Sequence, residues 1–110
     1  MLILLSMIEI FSREAREVIA RGEVGLVDVR TPEEFSEGHI LGAININIYD
    51  PLFLEKIKKL DLGKQYLVYC HGGARSAQAC ILMQKTGYKN VIKLSDGLSG
   101  WEGEGFSIER

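Results

Sequence analysis

The stretch Tyr66-Leu67-Val68-Tyr69-Cys70-His71-Gly72-Gly73-Ala74-Arg75-Ser76-Ala77 runs from short β-forming apolar residues into a glycine-rich loop, and from there into good helix formers. Strand, loop and helix in that order are the unit from which parallel α/β sheets are built. The order also sets the Cys70 thiol among backbone N–H groups at a helix start, where partial positive charge favours anions. Arg75 adds a permanent positive charge. Both effects favour thiolate over thiol, and the thiolate is the reactive form. Gly72 and Gly73 allow the positive φ angles that a concave nest of amides requires. The pattern is that of a nucleophilic cysteine that holds an anion.

Outward from this loop, strand and helix signals alternate. Residues 7–11 read as a short edge strand, and a helix follows from Ser12 to about Arg21 with Ser12 as its N-cap. Gly25 to Val29 is a compact apolar run of the kind buried in a parallel sheet. Thr31-Pro32-Glu33-Glu34 forms a capping box, with Thr31 at N-cap, Pro32 at N1 and Glu34 at N3, and this helix ends before Gly38. A strand is expected over Ala43 to Ile46 and a helix from Asp50-Pro51 to about Leu60. Tyr66 to Tyr69 is a second buried strand, Ser76 to Thr86 a helix closed by Gly87 at C′, and Val91 to Leu94 a further strand. The fold class is α/β with a small, mostly parallel sheet and helices on both faces. Ligands of such sheets bind beyond the carboxyl ends of the strands, where both Cys70 and Asp28-Val29-Arg30 emerge.

The loop resembles the active-site loop of the rhodanese-like (thiosulfate sulfurtransferase) family, which typically reads Cys-x-x-Gly-x-Arg-Ser and is matched here by Cys70, Gly73, Arg75 and Ser76. Further markers of that family stand in order: Leu26-Val27-Asp28-Val29-Arg30, Glu33-Glu34-Phe35, Gly38-His39-Ile40, Gly42-Ala43-Ile44-Asn45, Gly87-Tyr88, and the turn from Gly97 to Trp101. The likeness covers nearly the whole chain and implies the family's three-layer fold, with residues 1–6 as an N-terminal extension and 7–110 as one domain. It departs where the family usually has Gly-Gly before the tryptophan: Asp96-Gly97 stands here, which bears on the geometry of that turn.

Composition narrows the function classes. The chain has 110 residues, 46% hydrophobic and 25% charged, as in a soluble globular domain. Thirteen basic against fifteen acidic residues give a net charge of −2 with no basic cluster. Binding to nucleic acid or to an anionic membrane surface has no electrostatic support. Two cysteines, one of them in a reactive setting, speak against a disulfide framework and for a reducing, cytoplasmic compartment. The apolar start, Met1 to Ile8, lacks a basic n-region and is cut short by Glu9, so it reads as an extension rather than a signal peptide.

Each candidate residue has a plainer alternative. Cys70 would otherwise be a buried structural thiol, but its glycine-rich, arginine-ended loop favours catalysis. Cys80, between Ala79 and Ile81 on the apolar stripe of the following helix, reads as core filler. Arg75 is expected to bind anion beside the thiolate, within a loop formed by His71, Gly72, Gly73, Ala74, Arg75 and Ser76. Ser76 is expected to order the loop from the first helical turn. Asp28 and Arg30 are read as a buried pair bracing the site rather than acting in chemistry. His71 is placed at the rim, His39 as a hydrogen-bonding structural residue and Trp101 as a packing anchor. No spacing of histidine and cysteine makes a metal site.

The resemblance implies a double displacement. The Cys70 thiolate takes the outer sulfur of a small sulfur-containing anion, thiosulfate or a persulfide, and passes it to a thiol, cyanide or a protein acceptor. No cofactor is implied, because the cysteine is itself the carrier. Three rivals share parts of this device. A phosphatase or arsenate reductase uses the same Cys-loop-Arg arrangement, but the related phosphatases have one more residue between Cys and Arg, for a wider cradle. A non-catalytic interaction module would not need Cys70 and Arg75. A redox-sensing thiol protein would oxidise Cys70 reversibly.

Overall fold

The computed structural model describes residues 7–110; the expected extension, residues 1–6, lies outside the described residues. The chain runs β1 (Ile8–Ile10), α1 (Ser12–Ala20), β2 (Gly25–Asp28), α2 (Pro32–Glu37), β3 (Ile44–Asn45), α3 (Phe53–Lys58), β4 (Tyr66–Tyr69), α4 (Ala74–Lys85), β5 (Val91–Leu94) and α5 (Gly97–Gly103). The strands form one sheet in the order β1-β5-β4-β2-β3, with every pairing parallel. β1 is an edge strand, as its sequence suggests.

Because side chains alternate across a strand, the central strands feed two cores at once. On one face Val27, Val68 and Cys70 pack with Phe53 and Ile57 of α3 and with Ala79, Cys80 and Met83 of α4. On the other face Leu26, Leu67 and Tyr69 pack with Ala15 of α1 and with Leu98 and Trp101 of α5. The result is the three-layer α/β arrangement expected, with helices on both faces. Among the described residues no helix is long and apolar enough to cross a membrane.

Local chemistry explains most boundaries. Thr31 caps α2 by accepting from the Glu34 N–H, while the Glu34 carboxylate accepts from the Thr31 N–H, so the capping box closes as read. α4 ends in a Schellman motif: Gly87 (φ +108°) donates to the Gln84 carbonyl and Tyr88 to the Met83 carbonyl. Several boundaries differ from the sequence reading, and β3 is shortened to Ile44–Asn45. Phe11, not Ser12, stands at the N-cap of α1, and the Ser12 hydroxyl instead donates to Asp96 at 2.9 Å. A long-range partner has displaced the local cap. α3 starts at Phe53 because the Asp50 carboxylate first closes a turn, accepting from the Leu52 N–H at 2.8 Å. α4 starts two residues early, from Gly73. The Gly97–Trp101 turn is part of a helix, α5.

Candidate active site

Cys70 is the first residue beyond β4. Its side chain points into the core face beneath α4, leaving the residue only 1% exposed. The chain then doubles back over it through His71 and Gly72 to Gly73, the N-cap of α4. Gly73 sits at φ +122°, and a Cβ there would lie 3.0 Å from the Ser95 carbonyl and 3.4 Å from Lys93 Nζ. Conformation and space both demand glycine at this position. Gly72 needs neither: it has no positive φ and open space around its missing Cβ, so only one of the two glycines expected to supply left-handed geometry does so.

The cradle closes on the sulfur. The Gly73 N–H donates to Cys70 Sγ at 3.0 Å. As a thiol, Cys70 lies 3.5 Å from the acceptor Ser76 Oγ, whose own hydroxyl donates to the Gly73 carbonyl at 3.0 Å. Ser76 is fully buried in the first turn of α4, the loop-ordering place expected for it. Burial pushes the Cys70 thiol up. Once the thiol ionises, the Ser76 hydroxyl can turn to donate to the sulfur, and with the backbone N–H groups of Ser76, Gly73 and Arg75 it outweighs that effect, so the thiol is held below its ordinary range. Cys80 has burial without donors and is pushed up to about 12. One thiol is poised to ionise and the other is core filler.

The Arg75 side chain is not turned onto the sulfur. Its Nη1 meets Glu34 Oε1 at 2.6 Å and its Nη2 meets Oε2 at 3.0 Å, a bidentate pair between the first turns of α4 and α2. Glu34 is held from its other side by the Thr31 N–H and hydroxyl, both at 3.2 Å. Through its hydrogen bonds, Arg75 holds the Glu34 carboxyl at about 2. Capping alone was legible for Glu34; its pairing with a residue 41 positions away was not.

Asp28 and Arg30 form the buried brace anticipated for them. The Arg30 Nη2 donates to Asp28 Oδ2 at 2.8 Å and to the Gly38 carbonyl at 2.6 Å, and the Arg30 backbone N–H donates to Asp28 Oδ1 at 2.9 Å. The Tyr69 hydroxyl joins them, accepting from the Ile40 N–H at 3.0 Å and donating toward Asp28. Desolvation, then the Asp28 charge, raise the Tyr69 hydroxyl far above its ordinary range, which keeps it a donor. Tyr69 reads in the sequence only as a strand residue.

α5 clamps the loop from outside. The Leu98 N–H donates to the Cys70 carbonyl at 2.9 Å and the Ser99 N–H to the His71 carbonyl at 3.0 Å. Asp96, where the family usually has glycine, adopts ordinary right-handed geometry (φ −91°, ψ −1°), so no glycine is needed there. Gly97 (φ +62°) does need one, since a Cβ would run into the carbonyls of His71 and Cys70. The His71 side chain is exposed at the rim and lines a cleft of about 190 Å³ with Arg30, Glu34, Glu37, Glu102 and Arg110. His39 stacks on Phe35 at 3.7 Å and its Nδ1 bonds the Phe35 carbonyl, a structural role. The Trp101 indole N–H donates to the Ser107 carbonyl while its ring packs edge-on against Phe106.

A family profile described as Rhodanese-like domain matches residues 12–104. A protein named sulfurtransferase from Allochromatium vinosum is 36% identical over 78% of this chain and 78% of its own. The chloroplastic thiosulfate sulfurtransferase 16 of Arabidopsis thaliana is 35% identical over 72% of this chain and 74% of its own. Among solved structures, a rhodanese-related protein from Thermoplasma volcanium superposes with a TM-score of 0.84 at 32% identity, covering 93% of this chain and 97% of that one.

Proposed function

The chain belongs to the rhodanese-like domain family, and on that premise we propose that it is a sulfurtransferase in which Cys70 carries the sulfur as a persulfide, with residues 7–110 acting as one catalytic domain. The reading rests on one observation above all: at the start of α4 the Gly73 N–H donates to the Cys70 Sγ at 3.0 Å, and the neighbouring backbone of Arg75 and Ser76 adds to the pull that favours the thiolate. Donors aimed at one atom suit a reaction in which one atom is carried.

In the first half-reaction the Cys70 thiolate attacks the outer sulfur of a sulfane donor such as thiosulfate or a persulfide. A new S–S bond forms to Sγ, the donor's own S–S bond breaks, and its electron pair leaves with sulfite or a thiolate. The outer sulfur of the resulting persulfide carries negative charge that the loop N–H groups can hold. In the second half-reaction a thiolate, cyanide or a protein acceptor attacks that sulfur, and the Cys70 thiolate departs. Burial of Cys70 restricts approach to a slim terminal atom, as a sulfane sulfur is. No step calls for a cofactor, and we place the protein in the cytoplasm, where thiols stay reduced.

The phosphatase reading has less support. The cradle spans four residues between Cys70 and Arg75, and the arginine fork that would hold a phosphate is already paired with Glu34. Mass spectrometry after incubation with thiosulfate tests the proposal. One sulfur atom is expected to add to the protein, to be removed by cyanide, to be absent in Cys70→Ser and to persist in Cys80→Ala. A wild-type protein that hydrolyses aryl phosphates and takes up no sulfur overturns it.

A further inference from the structure

We propose that Glu34 is a specificity-determining residue, which cancels the charge of Arg75 so that the Cys70 cradle accepts a singly charged sulfur, as of an organic persulfide, in preference to a dianion. This deepens the sulfurtransferase reading and rests on it for the nature of the donor.

The loop arginine is the obvious hand for an incoming oxyanion, yet its terminal fork is already engaged. Both of its terminal nitrogens face both oxygens of one carboxylate. That carboxylate is fixed in advance by the capping box, so it does not wait to be displaced. A bidentate fork of this kind is among the stronger charge-assisted contacts, and an oxyanion would have to compete with it. The other cations near the loop are likewise answered. Arg30 is bonded to Asp28 at 2.8 Å and Lys93, beside Gly73, to Glu9 at 3.1 Å. In the adjoining cleft the carboxylates of Glu34, Glu37 and Glu102 oppose the guanidinium groups of Arg30 and Arg110.

What remains to attract an anion is the set of loop amides and the start of α4, a helix of 12 residues whose end carries roughly half a positive charge. That suffices for one negative sulfur and leaves a second charge uncompensated.

Glu34→Gln separates charge from architecture, because glutamine also closes a capping box. Inorganic sulfate, an unreactive dianion, serves as the probe through its protection of Cys70 from iodoacetamide. In Glu34→Gln the half-protecting sulfate concentration is expected to fall about fivefold or more at low salt, an advantage that fades as ionic strength rises. The KM for loading from thiosulfate should fall in parallel, while that for 2-hydroxyethyl persulfide should fall only by the square root of that factor, about twofold for a fivefold change, since one charge feels the field half as strongly. Glu34→Ala removes the same charge and should move sulfate protection the same way, and it stands in should Glu34→Gln not fold.

A folded Glu34→Gln or Glu34→Ala whose sulfate protection is unchanged or weaker overturns the inference. A wild type that loads sulfur from neither donor instead overturns the sulfurtransferase reading, while sulfate protection still reports on the charge at the loop.

Discussion

The Leu98 backbone N–H donates to the Cys70 carbonyl oxygen at 2.9 Å, so the start of α5 holds the very residue proposed to carry sulfur. The Ser99 N–H does the same for His71 at 3.0 Å. These bonds require the two backbones to approach more closely than a Cβ at position 97 permits.

Gly97→Ala is therefore expected to damage the site from the far side of the loop. The new methyl would meet the carbonyls of His71 and Cys70, and alanine would be strained at φ +62°. Gly103, with nothing within 4 Å of its missing Cβ and no positive φ, is the control in the neighbouring last turn of α5. Urea unfolding should show a loss of about 1–3 kcal/mol or more for Gly97→Ala, and little change for Gly103→Ala. Iodoacetamide should also modify Cys70 with an altered pH profile only in the first.

How much of this was legible depends on the range of the interaction. Cys70, Gly73 and Ser76 lie within seven consecutive residues, and their loop could be read because strand, glycine and helix signals are local. The capping box of α2 and the Gly87 terminus of α4 were readable for the same reason. Ser12 shows the limit: its composition says N-cap, yet Asp96, far along the chain, takes its hydroxyl. Glu34 and Arg75 are each locally ordinary, and only the packing of α2 beside α4 joins them. α5, with three glycines among its seven residues, has little helical propensity of its own. Its burial of Leu98 and Trp101 and its bonds to the loop hold it in place instead.

Cys70 should react at a lower pH than an ordinary thiol and Cys80 should not react at all in the folded protein. Burial opposes ionisation of Cys70, but the Ser76 hydroxyl and three amides more than offset it. The alkylation midpoint is expected below the free-thiol value of about 8.5. Removing the hydroxyl in Ser76→Ala should move that midpoint upward, with about 1–3 kcal/mol of stability lost because the buried Gly73 carbonyl loses its donor. A midpoint at or above the free-thiol value in wild type would refute the electrostatic account.

The Asp28–Arg30 brace should govern stability before activity. Asp28 is fully buried and takes donors from the Arg30 guanidinium and backbone N–H. Asp28→Ala leaves the Arg30 charge buried without its carboxylate, at a cost of roughly 3–5 kcal/mol. Arg30 also ties down the Gly38 carbonyl, so the Gly38–Ile40 corner should loosen and exchange its amide protons faster. Sulfur loaded per folded molecule should fall only in part. Full thermal stability combined with complete loss of loading would place Asp28 in the chemistry itself.

Acid should reveal the Glu34–Arg75 pair. Folding lowers the Glu34 carboxyl from 4.5 to about 2, chiefly through the Arg75 hydrogen bonds, so the folded state binds this proton less readily than the unfolded chain does. The stability this group contributes is thus complete above about 4.5 and is lost as pH falls through about 2. Glu34→Gln cannot titrate and lacks that contribution at every pH. The difference in urea midpoint between wild type and Glu34→Gln should favour wild type at pH 7, begin to narrow below pH 4.5 and continue to close toward pH 2. Other carboxylates are common to both proteins and cancel in the difference. A gap that stays constant across this range would mean that the bridge contributes through packing of the two side chains and not through charge.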